Sequence, residues 1–350
     1  MTTAPYSPPW FLRNPHAQTI WGKFVRPEPP VPHLVRETHT LDDGDRVTLV
    51  RLRPHEPRTP RLVLLHGLEG TERSHYAESL MRAAWRRGWG ADLLLFRSCD
   101  GALNDTPRFY HSGDTGDVAT ILTRLATTHP LAPLLACGVS LGGNVLVKYL
   151  GDAATPRPTT LRAAAAVSVP WDLARGSRHI GRGLATIYQR AFLRTLRTKA
   201  IAKAARFPDH FPPADTIARI RTLWEFDDRI TAPLHGFADA ADYYARSSAR
   251  HFVHGVTTPT LLLSAVDDPF LPADVLDDVR RAADGNPALT IEFEPHGGHV
   301  GFVVGSSPRR TDSYLATRIP TFLGDHLAPT DHAEADAVLA RDPATPPRPR

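Results

Sequence analysis

Compact apolar runs and amphipathic stretches alternate along most of this chain. Residues 61–65, 91–96, 134–139, 163–169, 260–264 and 289–293 are short hydrophobic segments of strand length, and the most uniformly apolar read as strands covered on both faces. Between them, residues 75–87, 114–128 and 141–150 carry helical patterns that stop at Gly88, before Pro130 and at Gly151. Residues 34–41 and 46–53 flank Asp42-Asp43-Gly44-Asp45, a hairpin turn signal, so this pair is expected to open the sheet in antiparallel fashion. The alternation predicts an α/β protein with a mostly parallel central sheet of about eight strands and helices on both faces.

The pattern breaks between residues 171 and 255, a helix-prone, arginine-rich and aromatic stretch with no convincing strand. A helical block inserted late in such a sheet is expected to form a cap. A helix near residues 311–327, interrupted by Pro320, would finish the fold. From residue 328 onward Pro, Ala, Asp and Arg dominate, which predicts a disordered tail over 328–350. The expected organisation is thus an N-terminal extension packing on the core (1–33), the first part of the core (34–170), the cap (171–255), the second part of the core (256–327) and the tail. No internal repeat is visible.

Composition narrows the function classes. With 350 residues, 42% of them hydrophobic, the chain can bury a large core. The net charge is only +4, and the basic residues are spread out, so a nucleic-acid partner is not expected. Two cysteines, Cys99 and Cys137, argue against a disulfide framework and for a reducing, cytoplasmic location. Residues 1–9 hold three prolines and no apolar signal core, and no apolar run is long enough to span a bilayer, which leaves peripheral membrane contact open.

Three separate segments carry chemistry. Gly138-Val139-Ser140-Leu141-Gly142 is a G-x-S-x-G pattern between an apolar strand and a helix, which predicts a serine held on a sharp turn with its hydroxyl exposed as a nucleophile. A hydroxyl needs a base. His299, in His296-Gly297-Gly298-His299, lies past the last central strand and is the candidate, with His296 as rival; the H-x-x-H spacing could also be a metal site but lacks the helical and acidic company of one. The histidine needs an acid to fix its tautomer. Asp267-Asp268-Pro269 follows the strand at 260–264, and counting three residues from Ala265 selects Asp268, with Asp267 as the structural alternative. The order Ser, Asp, His is that of the α/β-hydrolase fold. The oxyanion hole is expected from the main-chain N–H groups of Leu141 and Leu68, the latter following His66-Gly67; His66 itself reads as a structural hydrogen-bonder.

The same residues resemble one branch of that fold, the YheT-like hydrolases, which also include the mammalian abhydrolase-domain lipases of types one to three. The resemblance runs from about Trp10 to Leu327. It is carried by Asn14-Pro15-His16-Ala17-Gln18-Thr19, His66-Gly67-Leu68-Glu69-Gly70, Phe96-Arg97-Ser98-Cys99-Asp100-Gly101 and Tyr110-His111-Ser112-Gly113-Asp114-Thr115. It continues through the Ser140 motif with Gly143-Asn144, Ser168-Val169-Pro170-Trp171-Asp172-Leu173, Phe226-Asp227-Asp228-Arg229, Asp267-Asp268-Pro269-Phe270 and His296-Gly297-Gly298-His299-Val300-Gly301-Phe302. It implies a carboxylic-ester hydrolase acting on acyl glycerides, phospholipids or small esters, with Ser140 as nucleophile, Asp268 as acid and His299 as base, and with no cofactor or metal. Ser98 stands where the family usually has glycine and His75, at the start of the 75–87 helix, where it often has proline; both could shape the pocket. The rival readings are an acyltransferase or thioesterase on the same residues and a non-catalytic binding protein on the same fold. Asn14-Pro15 suits a helix start. The arginine-rich stretch 175–206 reads as a solvated cap helix before a lipid-binding one, and Trp224 and Phe226 read as cap core.

Overall fold

The computed structural model describes residues 5–25, 31, 34–52 and 56–328. The central sheet holds eight strands: β1 (Leu34–Thr40), β2 (Arg46–Leu52), β3 (Arg61–Leu65), β4 (Gly90–Leu95), β5 (Leu134–Val139), β6 (Leu161–Val167), β7 (Thr260–Ala265) and β8 (Leu289–Glu294). Their spatial order is β1-β2-β4-β3-β5-β6-β7-β8. β1 and β2 form the antiparallel hairpin, and β2 lies antiparallel to β4; every pairing from β4 onward is parallel. β3, β4, β5 and β7 are buried along their whole length, which is why they read as unbroken apolar runs.

Around the sheet, α1 (Pro15–Phe24) precedes β1, while α2 (His75–Trp85), α3 (Gly116–Thr128) and α4 (Leu141–Gly151) connect the parallel strands. Leu62 and Leu64 of β3 turn to one face, where α2 packs; Val63 and Leu65 turn to the other, where α3 and α4 pack. Between β6 and β7 the chain forms α5 (Leu173–His179), α6 (Thr186–Arg206), α7 (Ala214–Arg219), α8 (Leu223–Phe226), α9 (Ala232–Leu234) and α10 (Ala240–Ser247) with no strand. This insertion has apolar centres of its own, one around Leu193, Ile217, Ile220, Phe226 and Ile230. α11 (Val275–Ala283) lies between β7 and β8. Among the described residues no helix is long and apolar enough to cross a membrane.

The chain end differs from expectation. Instead of one helix over 311–327, β9 (Val303–Ser307) and β10 (Arg310–Ser313) form a separate hairpin, and α12 (Tyr314–Gly324) begins only after it. Thr311 is buried between exposed neighbours, an alternation of strand type. Pro320 is buried inside α12, which packs beside α2 on the sheet. The expected tail falls almost wholly outside the described residues.

The sheet order sets the position of the site. From β3 the chain goes to β4 on one side and then returns to β5 on the other, and the crevice at such a switch point lies beyond the carboxyl ends of the strands. Leu65 of β3 is paired with Gly138 of β5, so the loops opening with His66 and Ser140 leave the sheet side by side.

Candidate active site

Ser140 joins β5 to α4 with φ 54° and ψ −121°, a backbone conformation most side chains avoid. Its neighbours allow it. A Cβ on Gly138 would collide with the Gly142 carbonyl, and one on Gly142 with the carbonyls of Leu65 and His66. The turn is held by Ser140 N–H donating to Val167 O at 2.8 Å and by Asn144 in the first turn of α4. The Asn144 side chain donates to the Ser112 and Ser247 carbonyls, each at 2.7 Å, and accepts from Ala249 N–H at 2.9 Å, so it ties α4 to the loop before α3 and to the end of the insertion.

His299 Nε2 lies 2.9 Å from Ser140 Oγ, and His299 Nδ1 lies 2.8 Å from Asp268 Oδ2. The other Asp268 oxygen accepts Phe270 N–H at 2.8 Å. With Nδ1–H donating to the carboxylate, Nε2 is left to accept from the serine hydroxyl. The Phe270 ring stacks on His299 with centroids 3.9 Å apart, covering one face of the imidazole. Asp267 turns elsewhere: it accepts Gly298 N–H at 2.9 Å and bonds His296 Nδ1 at 3.1 Å. The structure therefore brings Ser140, His299 and Asp268 into one chain of contacts, and gives Asp267 and His296 to each other.

The histidine loop is pinned from the far end of the sequence. Thr19 in α1 accepts His299 N–H at 2.9 Å, and Gln18 donates to Leu12 O at 2.8 Å while accepting Val303 N–H at 2.9 Å. Gly298 and Gly301 are required here because a Cβ on either would collide with the carbonyls of Pro15 and Gln18. Asn14 caps α1 by accepting from His16 and Ala17 N–H. Thr19 and Phe270 were not singled out from sequence as parts of the site, although both stand in the motif blocks quoted above.

The main chain of the loop after β3 is fixed by a histidine and two tyrosines. Phe96 N–H donates to His66 Nε2 at 3.0 Å, which leaves Nδ1–H for Gly67 O at 2.6 Å; burial pulls His66 down to about 4, so the ring stays neutral. Gly67 N–H donates to Tyr76 Oη at 2.8 Å and Glu69 N–H to Tyr110 Oη at 2.7 Å. Among the described residues the intervening Leu68 N–H, and that of Leu141, form no hydrogen bond. Both residues border the cavity at Ser140.

That cavity measures about 950 Å³ including its open mouth. Its wall is mainly apolar, with Phe109, Tyr110, Phe192, Leu196 and Phe226 facing Phe270 and Leu173. His111 and Asp227 add polar atoms. Among the described residues no cluster of His, Cys, Asp or Glu could hold a metal ion. Chemically, the arrangement offers an oriented hydroxyl, an imidazole nitrogen placed to accept its proton, a carboxylate behind it and two free N–H groups beside it.

Comparison with known proteins bears on this geometry. The family described as the alpha/beta hydrolase fold matches residues 60–306. The YheT protein of Escherichia coli (strain K12), whose name assigns it esterase activity only provisionally, is 37% identical over 330 residues, 93% of this chain and 95% of that protein. Phospholipase ABHD3 of Homo sapiens is 28% identical over 89% of this chain and 76% of its own length. Among solved structures, the Pyrococcus furiosus esterase Pf2001 superposes with a TM-score of 0.56 at 14% identity, covering 94% of this chain and 100% of that one, a likeness of fold.

Proposed function

The chain belongs to the α/β-hydrolase fold family, in its YheT-like branch, and from that premise we propose that it is a serine-dependent carboxylic-ester hydrolase working through an acyl-enzyme intermediate. The observation that carries the reading is the unbroken line from Ser140 Oγ through His299 to Asp268, at 2.9 and 2.8 Å, beside two free main-chain N–H groups. His299 Nε2 takes the hydroxyl proton as Ser140 Oγ attacks the ester carbonyl carbon. The N–H groups of Leu68 and Leu141 receive the developing oxyanion, Asp268 stabilises the imidazolium, and that imidazolium protonates the leaving alcohol. Water, deprotonated by His299, then attacks the acyl carbon and releases the acid, restoring the serine.

The apolar cavity wall suits an acyl chain, and the names of the relatives, esterase and phospholipase, point to lipid or small esters as the substrate class. On this reading residues 171–255 serve as a cap over a core made of 34–170 and 256–327. A fluorophosphonate probe tests the nucleophile. Covalent labelling at Ser140, lost in Ser140→Ala together with hydrolysis of a p-nitrophenyl acyl ester, is the expected result. A folded protein that takes no label and hydrolyses no ester in a screen of graded chain length refutes it.

A further inference from the structure

Asp227 is the acidic group on the cavity wall that acyl transfer leaves unused. It opens the π-helical turn Asp227–Thr231, a widened turn of the kind found where a helix is distorted to present a side chain. Its Oδ1 accepts from Thr231 Oγ1 and its Oδ2 from Tyr244 Oη, both at 2.6 Å. A carboxylate has about four lone-pair sites, so each oxygen keeps acceptor capacity. Asp227 is half-buried, and it borders the cavity that Ser140 also borders.

What it lacks is a positive partner. Asp45 and Asp117 each meet Arg97, Asp92 meets Arg61, and Asp114 meets Arg108. Among the described residues Asp227 forms no ion pair, and both of its donors are neutral hydroxyls. A carboxylate partly withdrawn from water without a counter-charge is penalised by desolvation, and here burial pushes it up to about 6, so it still ionises near neutral pH. Phe226, Tyr243 and Tyr244 border the same cavity, and the Trp224 ring beyond Tyr244 is already covered by the Arg178 guanidinium at 4.4 Å. The Tyr243 ring lies 5.0 Å from Tyr244, centroid to centroid, and Phe226 precedes Asp227 in the chain. Aromatic faces attract cations and do nothing for anions.

We propose that Asp227, with the Tyr243 and Tyr244 rings, forms a subsite that binds an ammonium group of the substrate. A hydroxyl would only repeat what Thr231 and Tyr244 already give; an ammonium supplies the missing charge and donates into the unused lone pairs. The same carboxylate disfavours esters that would push a second anion against it. The proposal deepens the esterase reading and rests on it for calling the bound group part of a substrate.

The test uses the full chain and needs no turnover. Calorimetric titration with n-hexylammonium and with its neutral isostere hexanol should show the ammonium binding about tenfold tighter, a preference lost in Asp227→Asn, which keeps the size of the side chain. In parallel, the kcat/KM ratio of p-nitrophenyl acyl esters ending in ammonium or in methyl should fall toward one in the same variant. Equal binding of the two hexyl probes by the wild type overturns the subsite by itself, even if the variant does not fold. So does a variant that weakens both probes alike. A chain that prefers hexylammonium but hydrolyses no ester would sink the esterase reading and leave the subsite standing; one that hydrolyses apolar esters without that preference would do the reverse.

Discussion

Asp267 and Asp268 are adjacent in sequence but face different histidines. Asp268 reaches His299 Nδ1, whereas Asp267 braces the loop through Gly298 N–H and His296. Asp268→Asn keeps the shape but favours the wrong imidazole tautomer, and should lower kcat by about 10⁴-fold. Asp267→Asn loses only loop support and should lower kcat/KM by about tenfold or less. Steady-state kinetics on one p-nitrophenyl ester separates the two; equal losses would reverse the assignment of roles. Sequence narrowed the acid to two residues, and only the count of three from Ala265 picked Asp268, because they are the same side chain one position apart and side-chain direction is what separates their partners. Ser140 was easier to read, because the glycines that its backbone demands leave a visible pattern. Thr19 could not be read as a partner of His299, since 280 residues separate the two ends of that hydrogen bond.

At the scale of elements, α6 fastens the insertion to the loops after β3 and β4 by two lysines of unequal weight. Lys203 is fully buried and donates to the carbonyls of Thr106 and Arg108 at 2.6 Å and of Pro107 at 3.3 Å. Lys199 pairs with Glu69 at 2.8 Å in a partly exposed setting beside Leu68. Lys203→Met would strand three carbonyls in the interior and should destabilise the fold by about 2–4 kcal/mol, against about 1 kcal/mol or less for Lys199→Met. Urea midpoints of the two variants measure the difference, and an equal shift would mean that α6 is not held at Lys203. Legibility followed burial. Strands covered on both faces announced themselves as apolar runs, and α1, α2 and α4 by their caps and stops. β9 and β10 did not, because a short exposed hairpin of Gly305, Ser306, Ser307, Arg309 and Arg310 buries too little to leave a period. The π-helical turn at Asp227 was invisible for another reason: its hydrogen bonds span one residue more than those of an α-helix, which no hydrophobic pattern resolves.

Across the whole molecule, neutral histidines are built into the junction between sheet and insertion, and they make stability depend on pH. Burial pulls His66 from 6.5 to about 4, His111 to about 3 and His235 to about 2. The His111 and His235 rings lie 4.3 Å apart, so a proton on either is also repelled by the other, and Lys148, Arg108 and Arg97 add positive charge nearby. Each ring is neutral when folded but takes a proton near 6.5 when unfolded. As pH falls through 6.5 the unfolded chain binds more protons than the folded one, and the stability of the fold drops. Buried carboxylates act in the opposite sense. Asp227, pushed up to about 6, and Asp114 and Asp117, raised by burial, take up protons in the folded state first and partly offset the loss below that point. The loss is therefore expected to set in as pH falls through 6.5 and to be partly offset once Asp227 takes up its proton. Replacing one ring isolates its share. His111→Phe keeps the aromatic packing on Phe237 and Tyr243 while removing one proton site. Relative to wild type, its unfolding free energy should become less pH-dependent by about 1.4 kcal/mol per pH unit between about pH 6 and 5. Urea titrations across that interval give both slopes. Parallel curves for the two proteins, or a wild-type fold that gains stability on mild acidification, would mean that His111 is protonated in the folded state and that the junction is open to water.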